Sequence, residues 1–480
     1  MPKRRSPPSH RRATSVAPAR AAAAAVPLSV VILAAGEGKR MKSALPKVLQ
    51  PLAGRPLLKH VIDTARSLVP ATLQVVYGHG GEAVRAALAG ESVAWTLQAE
   101  RLGTGHAVAQ ALPGIPDDNL VLVLYGDVPL IGRATLAALL ALAGPRRLAL
   151  LTARLENPEG YGRIVRNARG LVQKIVEEAD ATPRQRAIHE CNTGVLAAPA
   201  HLLRGWLARL TTDNARGEYY LTDVIALAVR DRVAVRPLLT GTAAEALGVN
   251  DKAQLAQLEA QCRARAAQEL LAAGVTLADP ARVDVRGTLV VGQDVFIDVN
   301  VVFEGRVVLG DGARIGAGCV VRNSEVGART EVFPHCVIDQ AVIGPECNIG
   351  PFARFRPSST LAAGVHIGNF VEVKNSQLGA GSKANHLSYV GDAELGRGVN
   401  IGAGTIVANY DGAVKHRTVI GDDVHTGSNS VLVAPITVGA GATIAAGSTV
   451  THAVPAGKLT VARARQVTVD GWHRPVKPRK

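Results

Sequence analysis

Residues 309–344 read LGDGARIGAGCVVRNSEVGARTEVFPHCVIDQAVIG, and an aliphatic residue returns in this stretch at about every sixth position. Leu309, Ile315 and Val321 begin the series, which extends with interruptions to Val450. A unit this short cannot bury its apolar face alone, so consecutive units must stack on one another. The period predicts a left-handed parallel β-helix whose aliphatic residues point inward. The Gly that follows many of them is expected to allow a tight corner through a positive φ.

The chain has 480 residues, which predicts two or three domains, and its positive charge lies mostly in two tails. The formal net charge is +15, yet residues 1–20 hold six cations and no acid, and residues 463–480 hold six cations and one acid. No nucleic-acid-binding motif accompanies either tail. We therefore predict no nucleic-acid partner.

The cysteines and the hydropathy pattern predict a cytoplasmic protein without a membrane span. The five cysteines are widely spaced and form no CxxC pair, which indicates reduced thiols rather than a disulfide framework or a zinc site. No apolar stretch reaches the length of about 20 residues that a membrane helix needs. The basic N-terminus imitates a secretory signal, but we interpret 30–35 as a first β-strand and residues 1–26 as a disordered basic tail.

Strand-like apolar runs alternate with helical stretches from residue 28 to about 250, which predicts a parallel sheet covered on both faces. The predicted strands are 29–34, 73–77, 120–125 and 148–153, and the predicted helical connections are 46–68, 81–88 and 133–142. The predicted fold class is thus α/β plus all-β, with a Rossmann-like N-terminal domain, a linker helix and the β-helix. The expected boundaries are 27–252 for the N-terminal domain, 253–273 for the linker helix, 274–454 for the β-helix and 455–480 for a C-terminal arm.

A loop of small residues follows the first predicted strand and indicates phosphate binding. It runs Leu33-Ala34-Ala35-Gly36-Glu37-Gly38-Lys39-Arg40-Met41, so backbone N–H groups can approach a phosphate. Its spacing is neither that of a dinucleotide fingerprint nor that of a Walker A loop. Leu45-Pro46-Lys47 comes next, and with both motifs the chain resembles sugar-1-phosphate nucleotidylyltransferases. The resemblance implies that Leu33, Ala34, Ala35 and Gly36 bind the nucleoside triphosphate and that Lys47 and Arg40 are catalytic.

Another predicted strand ends in Tyr125-Gly126-Asp127, which puts a carboxylate at the edge where parallel sheets bind ligands. The resemblance implies that Asp127 and Asn250 hold Mg²⁺ and that Tyr125 and Gly126 also contact substrate. Mg²⁺ prefers oxygen ligands and retains waters and phosphate oxygens, so two protein ligands are sufficient. The implied reaction is in-line attack by a sugar phosphate oxygen on the α-phosphorus of a nucleotide, with pyrophosphate leaving.

Further motifs narrow the resemblance to bifunctional enzymes with N-acetylglucosamine-1-phosphate uridylyltransferase and glucosamine-1-phosphate acetyltransferase activities. It covers about residues 28 to 478 and includes Tyr77-Gly78-His79-Gly80 and the segments 102–106, 160–164 and 217–223. The resemblance implies that Gln98, Gly103 and Thr104 hold the uracil of UTP. It also implies that Gly162, Glu177, Asn192 and Asn250 contact the sugar or its phosphate.

Polar residues cluster at several places in the predicted β-helix, where they interrupt the hexapeptide repeat. The stability of a β-helix does not require such clusters, so they indicate a functional site. Acetyl transfer to an amine needs a base, an oxyanion donor and cations for the sugar phosphate. Histidine ordinarily titrates near neutrality, so His386 is the candidate base. By resemblance His386 is the general base, and the amino-sugar phosphate is bound by Arg356, Lys374, Tyr389 and Asn400. We also expect Glu372 to orient His386. The residues implied to line the acetyl-CoA groove are Ala403, Asn409, Tyr410, Ser428, Ala446 and Arg463.

Three residues depart from the usual pattern of this family. Asn385 precedes His386 where Gly is frequent, so we expect a left-handed Asn at this position. Asn375 follows Lys374 where a second Lys is often found, which predicts weaker phosphate binding. His425 replaces a more apolar residue near the predicted thioester site.

These features predict a two-step enzyme that acetylates glucosamine-1-phosphate from acetyl-CoA and then joins the product to UMP from UTP. The resemblance also implies a homotrimer, because β-helices of this type usually place their acyl sites between subunits. One alternative is a single-activity sugar nucleotidylyltransferase whose β-helix serves as an oligomerisation scaffold, and the cluster around His386 argues against it. A second alternative is a non-catalytic regulatory relative, which the presence of Lys47, Asp127 and Asn250 argues against.

Overall fold

The computed structural model describes residues 26–78 and 81–477, so residues 1–25 of the predicted tail and the His79-Gly80 part of one motif lie outside the described residues. The strands of the N-terminal domain are β1 (Leu28–Ala34), β2 (Pro51–Leu52), β3 (Arg55–Pro56), β4 (Thr72–Gly78), β5 (Ala94–Gln98), β6 (Leu120–Tyr125), β7 (Arg147–Arg154), β8 (Arg163–Arg166), β9 (Val172–Val176), β10 (Glu190–Pro199) and β11 (Ala234–Leu239). The α-helices are α1 (Leu57–Arg66), α2 (Glu82–Ala87), α3 (Thr104–Ala111), α4 (Arg133–Leu142), α5 (Pro183–Arg186), α6 (Ala200–Leu207), α7 (Asp223–Arg230) and α8 (Lys252–Ala272).

The main sheet of this domain has the strand order β11-β7-β10-β6-β1-β4-β5. β1 pairs in parallel with β4 and β6, as predicted, whereas β10 runs antiparallel between β6 and β7. The prediction of a wholly parallel sheet is therefore wrong at β10. After β7 the chain stays at the same edge and forms the antiparallel β8–β9 pair. A parallel neighbour would need a crossover connection, usually a long helix, and the segment between β7 and β10 holds only the β8–β9 pair, a 3₁₀ turn and the four-residue helix α5.

The predicted helix over 46–68 is correct only in its second half, where α1 lies. A 3₁₀ turn, Lys47–Leu49, and the short β2–β3 hairpin precede it. Pro51 and Pro56 lack the N–H that a helix interior requires, and Gly54, with φ 74, forms the turn between them. This irregular stretch places Lys47 in front of the phosphate loop.

Apolar helices cover both faces of the sheet. Val30, Val31 and Ile32 of β1 are fully buried, which matches a strand with helices on both sides. One face packs against α3, α6 and α7, and the other packs against α1 and α4. The carboxyl ends of β1, β5 and β6 remain open, and the first candidate site is built there.

Helix α8 joins the two domains and lies within one residue of the range predicted for the linker helix. Leu255 and Leu258 pack in a cluster with Met41 and Leu57 of the N-terminal domain. Leu270, near the other end of the helix, belongs to the core of the repeat region. The helix thus buries one end against each domain.

The C-terminal region is a parallel β-helix with three strands per coil. One face consists of Thr276–Leu277, Phe296–Ile297, Arg314–Ile315, Glu331–Val332, Asn348–Ile349, His366–Asn369, Lys383–His386, Asn400–Ile401, His425–Thr426, Thr443–Ile444 and Leu459–Thr460. The second face consists of Val320–Arg322, Val337–Asp339, Arg354–Phe355, Glu372–Lys374, Tyr389–Gly391, Ile406–Ala408, Val431–Val433 and Thr449–Val450. The third consists of Glu325–Val326, Ala341–Ile343, Ser359–Leu361, Gln377–Leu378, Ala393–Leu395, Thr418–Ile420 and Ile436–Val438, and the long strands Val283–Val291 and Val301–Leu309 start the stack.

Each coil advances the chain by 17 or 18 residues, because Ile315 lies beside Val332, Val332 beside Ile349 and Ile349 beside Ile367. These aliphatic side chains are buried, as the six-residue period predicts. One coil is longer: Asn400 pairs with His425, and the extra residues form a loop closed by a bridge between Tyr410 and Lys415.

The glycines after the aliphatic residues have a different role from the one expected. The left-handed conformation falls two residues later, at positions such as Gly318 (φ 70) and Arg329 (φ 55). At Gly327, by contrast, an added Cβ would lie 2.5 Å from backbone atoms of the next coil. The predicted reason, positive φ, is therefore wrong for these glycines except Gly350, which has φ 96. They lack a side chain because neighbouring coils approach each other too closely for one.

Candidate active sites

A cavity of about 520 Å³ opens at the carboxyl ends of β1, β5 and β6, and the phosphate loop forms one of its walls. Leu33 at the end of β1 accepts a hydrogen bond from the Gly126 N–H (2.9 Å), so the loop and the end of β6 are held together. Gly38 has φ 66, and a Cβ there would lie 2.5 Å from the Lys47 Cβ. The glycine thus allows the lysine stem to cross the loop. The predicted residues that line the cavity are Leu33, Ala34, Ala35, Gly36, Lys47, Gln98, Gly103, Thr104, Tyr125, Asp127 and Asn250.

The two predicted metal ligands face the same cationic group. The Lys47 ammonium donates to the Asp127 carboxylate and lies 3.5 Å from the Asn250 amide oxygen. Asn250 is positioned by the Val249 N–H, which donates to the Asp127 carbonyl (2.9 Å). Oxygen atoms that converge on one cation are the kind of donors that Mg²⁺ prefers, so the residues present fit a Mg²⁺ ion.

The residues predicted to bind uracil form a compact group between β5 and α3. Gln98 is 3% exposed, and its side-chain NH₂ donates to the Gly103 carbonyl (3.1 Å). Gly103 has φ 108, and a Cβ there would lie 2.7 Å from the Tyr219 carbonyl oxygen. The Leu221 N–H donates to the Thr104 hydroxyl (3.1 Å), which fixes the start of α3. The segment after α6 therefore supports this end of the cavity.

The residues predicted to contact the sugar lie beside the cavity, behind Tyr125. Burial raises the pKa of Tyr125, and the neighbouring Glu177 and Asp127 carboxylates raise it further. Glu177 accepts a hydrogen bond from the Thr222 hydroxyl (3.0 Å), and burial raises the pKa of this carboxyl. The Asn192 N–H donates to the Gly162 carbonyl (2.8 Å). The structure thus places Gly162, Glu177 and Asn192 next to the cavity.

Charged residues without a predicted role also reach this cavity, whereas one predicted catalytic residue does not. Glu37, Arg101 and Arg216 belong to the cavity wall, and Arg101 forms an ion pair with Glu37 across the loop. Arg40 is exposed and lies outside the cavity wall. Glu37 lies within the loop of residues 33–41, so its position in the sequence could have indicated that it lines the cavity.

The second site lies on the β-helix, where two adjacent strands place His386 beside Asn369. The exposed His386 ring presents Nδ1 3.2 Å from the Asn369 Oδ1. With Nδ1 protonated, this contact leaves Nε2 free to accept a proton. The predicted orienting residue, Glu372, instead pairs with Arg356 (3.1 Å). That prediction is wrong for this structure, because Glu372 lies in register with Tyr389 rather than with His386.

Lys374, Tyr389 and Asn409 meet around one buried carboxylate, that of Asp392. Asp392 accepts a hydrogen bond from the Lys374 ammonium (3.0 Å) and another from the Asn409 amide. The Asn409 amide also donates to the Tyr389 hydroxyl (3.3 Å). The Lys374 ammonium also lowers the pKa of Lys415, which closes the inserted loop through its bridge to Tyr410. The predicted sugar-phosphate and acetyl-CoA residues are thus in contact.

The remaining acetyl-CoA candidates follow one corner of the β-helix. Ala403, Ser428 and Ala446 occupy equivalent positions in successive coils, where the Asn429 N–H donates to Ala403 (2.7 Å) and the Gly447 N–H to Ser428 (2.8 Å). Arg463 donates to the Ala446 carbonyl from the C-terminal arm. Tyr410 is 60% exposed on the inserted loop.

The three departures from the family pattern lie in or beside this site. Asn385 lies inside the strand Lys383–His386, and the left-handed residue is Leu387 (φ 50), so the expected left-handed Asn385 is wrong. Asn375, which has φ 44, donates to Asp392 (2.6 Å). His425 is exposed and pairs in register with Asn400.

Among the described residues, 26–78 and 81–477, three observations concern disulfides, membrane-spanning helices and metal-binding clusters. All five cysteines are free. No helix among these residues is long and apolar enough to cross a membrane. They also contain no cluster of three or more His, Cys, Asp or Glu side chains that could hold a metal by themselves.

A nucleotide cavity in an α/β domain and a polar cluster on a β-helix define a nucleotidyltransferase joined to a hexapeptide-repeat acyltransferase. Family comparisons agree: residues 30–226 match the MobA-like NTP transferase domain, 285–364 the GMPPB C-terminal domain, and 417–452 the bacterial transferase hexapeptide (six repeats). The bifunctional protein GlmU of Azoarcus sp. is 60% identical over 94% of this chain and 100% of its own length. The GlmU protein of Aromatoleum aromaticum is 58% identical over 94% of this chain and 99% of its own. The chain belongs to the GlmU family of bifunctional enzymes, which confirms the predicted bifunctional transferase.

Proposed function

We propose that the chain transfers an acetyl group from acetyl-CoA to glucosamine-1-phosphate on its β-helix, and then a UMP group from UTP to the product in its N-terminal domain. Membership of the GlmU family supports both activities. The observation that carries the acetyl step is the meeting of Lys374, Tyr389 and Asn409 around Asp392, on the coils that also hold His386. A scaffold that only stacks coils has no need of such a cluster.

In the acetyl step, the amine of glucosamine-1-phosphate attacks the thioester carbonyl carbon and the CoA thiolate leaves. His386 Nε2 takes the proton that the amine loses, while Asn369 holds the opposite ring nitrogen. Arg356, Lys374 and Lys415 provide positive charge for the sugar phosphate, and Asn400 borders the same groove. Tyr410, Ser428, Ala446 and Arg463 hold the CoA portion along the corner of the β-helix.

In the uridylyl step, a phosphate oxygen of N-acetylglucosamine-1-phosphate attacks the α-phosphorus of UTP and pyrophosphate leaves. The loop from Leu33 to Gly36 binds the phosphates, and Lys47 neutralises charge that develops on them. Gln98, Gly103 and Thr104 hold the uracil, while Gly162, Glu177 and Asn192 hold the sugar. Asp127 and Asn250 would hold Mg²⁺, which when bound neutralises phosphate charge. Lys47 would then move from these oxygens toward the nucleotide.

A homotrimer in the cytoplasm is part of the same proposal. The hexapeptide repeats support oligomerisation. Several apolar side chains of the C-terminal arm are exposed in the single chain, including Val467 (80%) and Trp472 (65%). Free cysteines support a reducing compartment. Light scattering on the purified protein would test the trimer.

The direct test is to incubate the purified protein with Mg²⁺, glucosamine-1-phosphate, acetyl-CoA and UTP, and to follow free CoA, pyrophosphate and nucleotide sugar by mass. Release of CoA followed by UDP-N-acetylglucosamine is the expected result. If no CoA appears while added N-acetylglucosamine-1-phosphate still yields pyrophosphate, the acetyl activity is absent and the β-helix is a scaffold. Chelation of the metal should stop pyrophosphate release and leave CoA release unchanged.

A further inference from the structure

Asp392 is a buried carboxylate in the middle of the acetyl site. The residue is 7% exposed, and its side chain is 10% exposed. Three side chains donate to it: the Lys374 ammonium (3.0 Å), the Asn375 amide (2.6 Å) and the Asn409 amide. These donors come from two different coils, so one carboxylate ties together groups that lie far apart in the repeat.

The backbone at this corner does not by itself explain a carboxylate. Asp392 has φ 50, a left-handed conformation that Asn adopts as readily as Asp. Its N–H donates to the Lys374 carbonyl (2.9 Å), and its carbonyl accepts from the Thr418 N–H (3.1 Å). Any residue except proline could form these two bonds. The fold therefore does not require a negative charge at position 392. A buried charge lowers the stability of the folded state unless it is paired.

The charges around Asp392 show what this carboxylate does. Burial by itself would raise the pKa of Asp392, but hydrogen bonds from Asn375, Lys374 and Asn409 outweigh this effect and keep the pKa below its ordinary value. Lys374 also faces the Lys415 ammonium, and the two cations repel each other. The fixed negative charge of Asp392 beside Lys374 offsets this repulsion.

We propose that Asp392 is a positioning residue of the acetyl reaction, which locks the sugar-phosphate contact Lys374 and the acetyl-CoA contact Asn409 into one arrangement. The inference rests on the acetyl activity proposed above. Because one carboxylate holds both contacts, its removal should loosen the binding of both substrates together. A residue that served only one half of the site would affect one substrate alone.

The first test is Asp392→Asn, which keeps the shape and the tolerance for a left-handed φ and removes only the charge. We expect kcat/KM for acetyl transfer to fall about 10- to 100-fold, as for the loss of hydrogen bonds to a charged group, with higher KM values for glucosamine-1-phosphate and for acetyl-CoA. Uridylyl transfer should be unchanged. Asp423→Asn is the matched control, because Asp423 has φ 53 on an exposed corner and should tolerate the change in both activities.

A double-mutant cycle that combines Asp392→Asn with Lys374→Ala distinguishes a positioning role of Asp392 from a nonspecific loss of structure. In the Lys374→Ala background, Asp392→Asn should raise the KM for glucosamine-1-phosphate little further, because that effect passes through Lys374, whereas the KM for acetyl-CoA should still rise through the loss of the Asn409 contact. Full multiplication of the two effects on the KM for glucosamine-1-phosphate would overturn the proposal, and so would an unchanged acetyl rate in Asp392→Asn. Loss of both activities in Asp392→Asn would indicate misfolding and would likewise overturn it. A wild-type protein that releases no CoA would contradict the proposed function itself.

Discussion

The two candidate sites of this chain are assembled in opposite ways. In the N-terminal domain, Lys47 meets Asp127 and Asn250 across 80 and 203 residues of sequence, because strands from distant parts of the chain end at one edge of a sheet. On the β-helix, Asn369 meets His386 across 17 residues, because each coil lies directly on the previous one. The first site depends on global topology, and the second depends on a local repeat with a fixed spacing.

The largest effects should come from removing the central charged group of each site. Lys47→Ala should lower uridylyl transfer by about 1,000-fold or more, since phosphoryl transfer depends on charge neutralisation and positioning. Acetyl transfer should be unchanged. Lys42→Ala, an exposed lysine of the same segment, is the control. Separate assays of CoA and pyrophosphate release would measure both.

The reciprocal variant is His386→Ala. It should lower acetyl transfer by about 100- to 10,000-fold, the range for loss of a general base, and leave uridylyl transfer intact. His452→Ala, an exposed histidine of the last coils, serves as its control. If Lys47→Ala or His386→Ala removed both activities, the sites would not be independent, and the contrast between them would fail.

A smaller effect is expected from two glycines that lie two residues apart at one corner of the β-helix. At Gly379 a Cβ would overlap the Gly396 carbonyl of the next coil, whereas Gly381 has φ 70 and open space around it. Gly379→Ala should therefore destabilise the β-helix by about 1–3 kcal/mol through overpacking. Gly381→Asn should cost less, because Asn tolerates a left-handed φ. Denaturant unfolding would measure both, and equal losses would contradict the coil-contact explanation.

The repeat made the β-helix predictable, because each buried aliphatic residue was visible in a local pattern. The reason for its glycines was not visible, since Gly327 and Gly379 lack side chains on account of backbone atoms about one coil away. In the N-terminal domain, local patterns indicated β1 and β6 correctly. They could not indicate that β10 runs backwards, which follows from the path of the chain after β7.

In the two candidate sites too, local sequence patterns did not show contacts between residues that lie apart in the sequence. The meeting of Lys47, Asp127 and Asn250 was expected only through resemblance to a family, because no sequence spacing links them. Asp392 received no role at all, since a single Asp at a repeat corner has the pattern of a solvated turn. Its burial is set by Lys374 and Asn409 on the neighbouring coils. Contacts between neighbouring coils therefore determine which polar residues of the β-helix belong to the candidate acetyl site.

Asn369 offers a test of the short-range site with an effect of intermediate size. Asn369→Ala removes the contact to His386 Nδ1, so kcat for acetyl transfer should fall about tenfold, which corresponds to about 1.4 kcal/mol. Glu372→Gln should instead raise the KM for glucosamine-1-phosphate, because Glu372 holds Arg356. Steady-state kinetics on both variants would separate these effects. If Glu372→Gln lowered kcat more than Asn369→Ala does, the residue that orients His386 would be Glu372 and not Asn369.

The smallest effect concerns Glu177, a carboxyl group that the long-range site buries. Burial raises its pKa above the ordinary value, although the Thr222 hydroxyl donates to it. The folded state then holds its proton to higher pH than the unfolded state, so folding stability falls as pH rises from the ordinary carboxyl pKa through the raised one. Glu177→Gln lacks this titration. Its unfolding free energy relative to wild type should therefore rise as the pH increases above the ordinary carboxyl pKa of about 4.

Urea unfolding at several pH values would measure this difference, with Glu156→Gln, an exposed carboxylate, as the control for removal of one negative charge. The Gln variant should also bind the sugar phosphate more weakly, because a group proposed to contact the sugar has lost its charge. A pH-independent difference would mean that Glu177 is as well solvated in the folded state as in the unfolded one. The long-range site would then lack the buried carboxylate that distinguishes its sugar side from the exposed His386 of the β-helix.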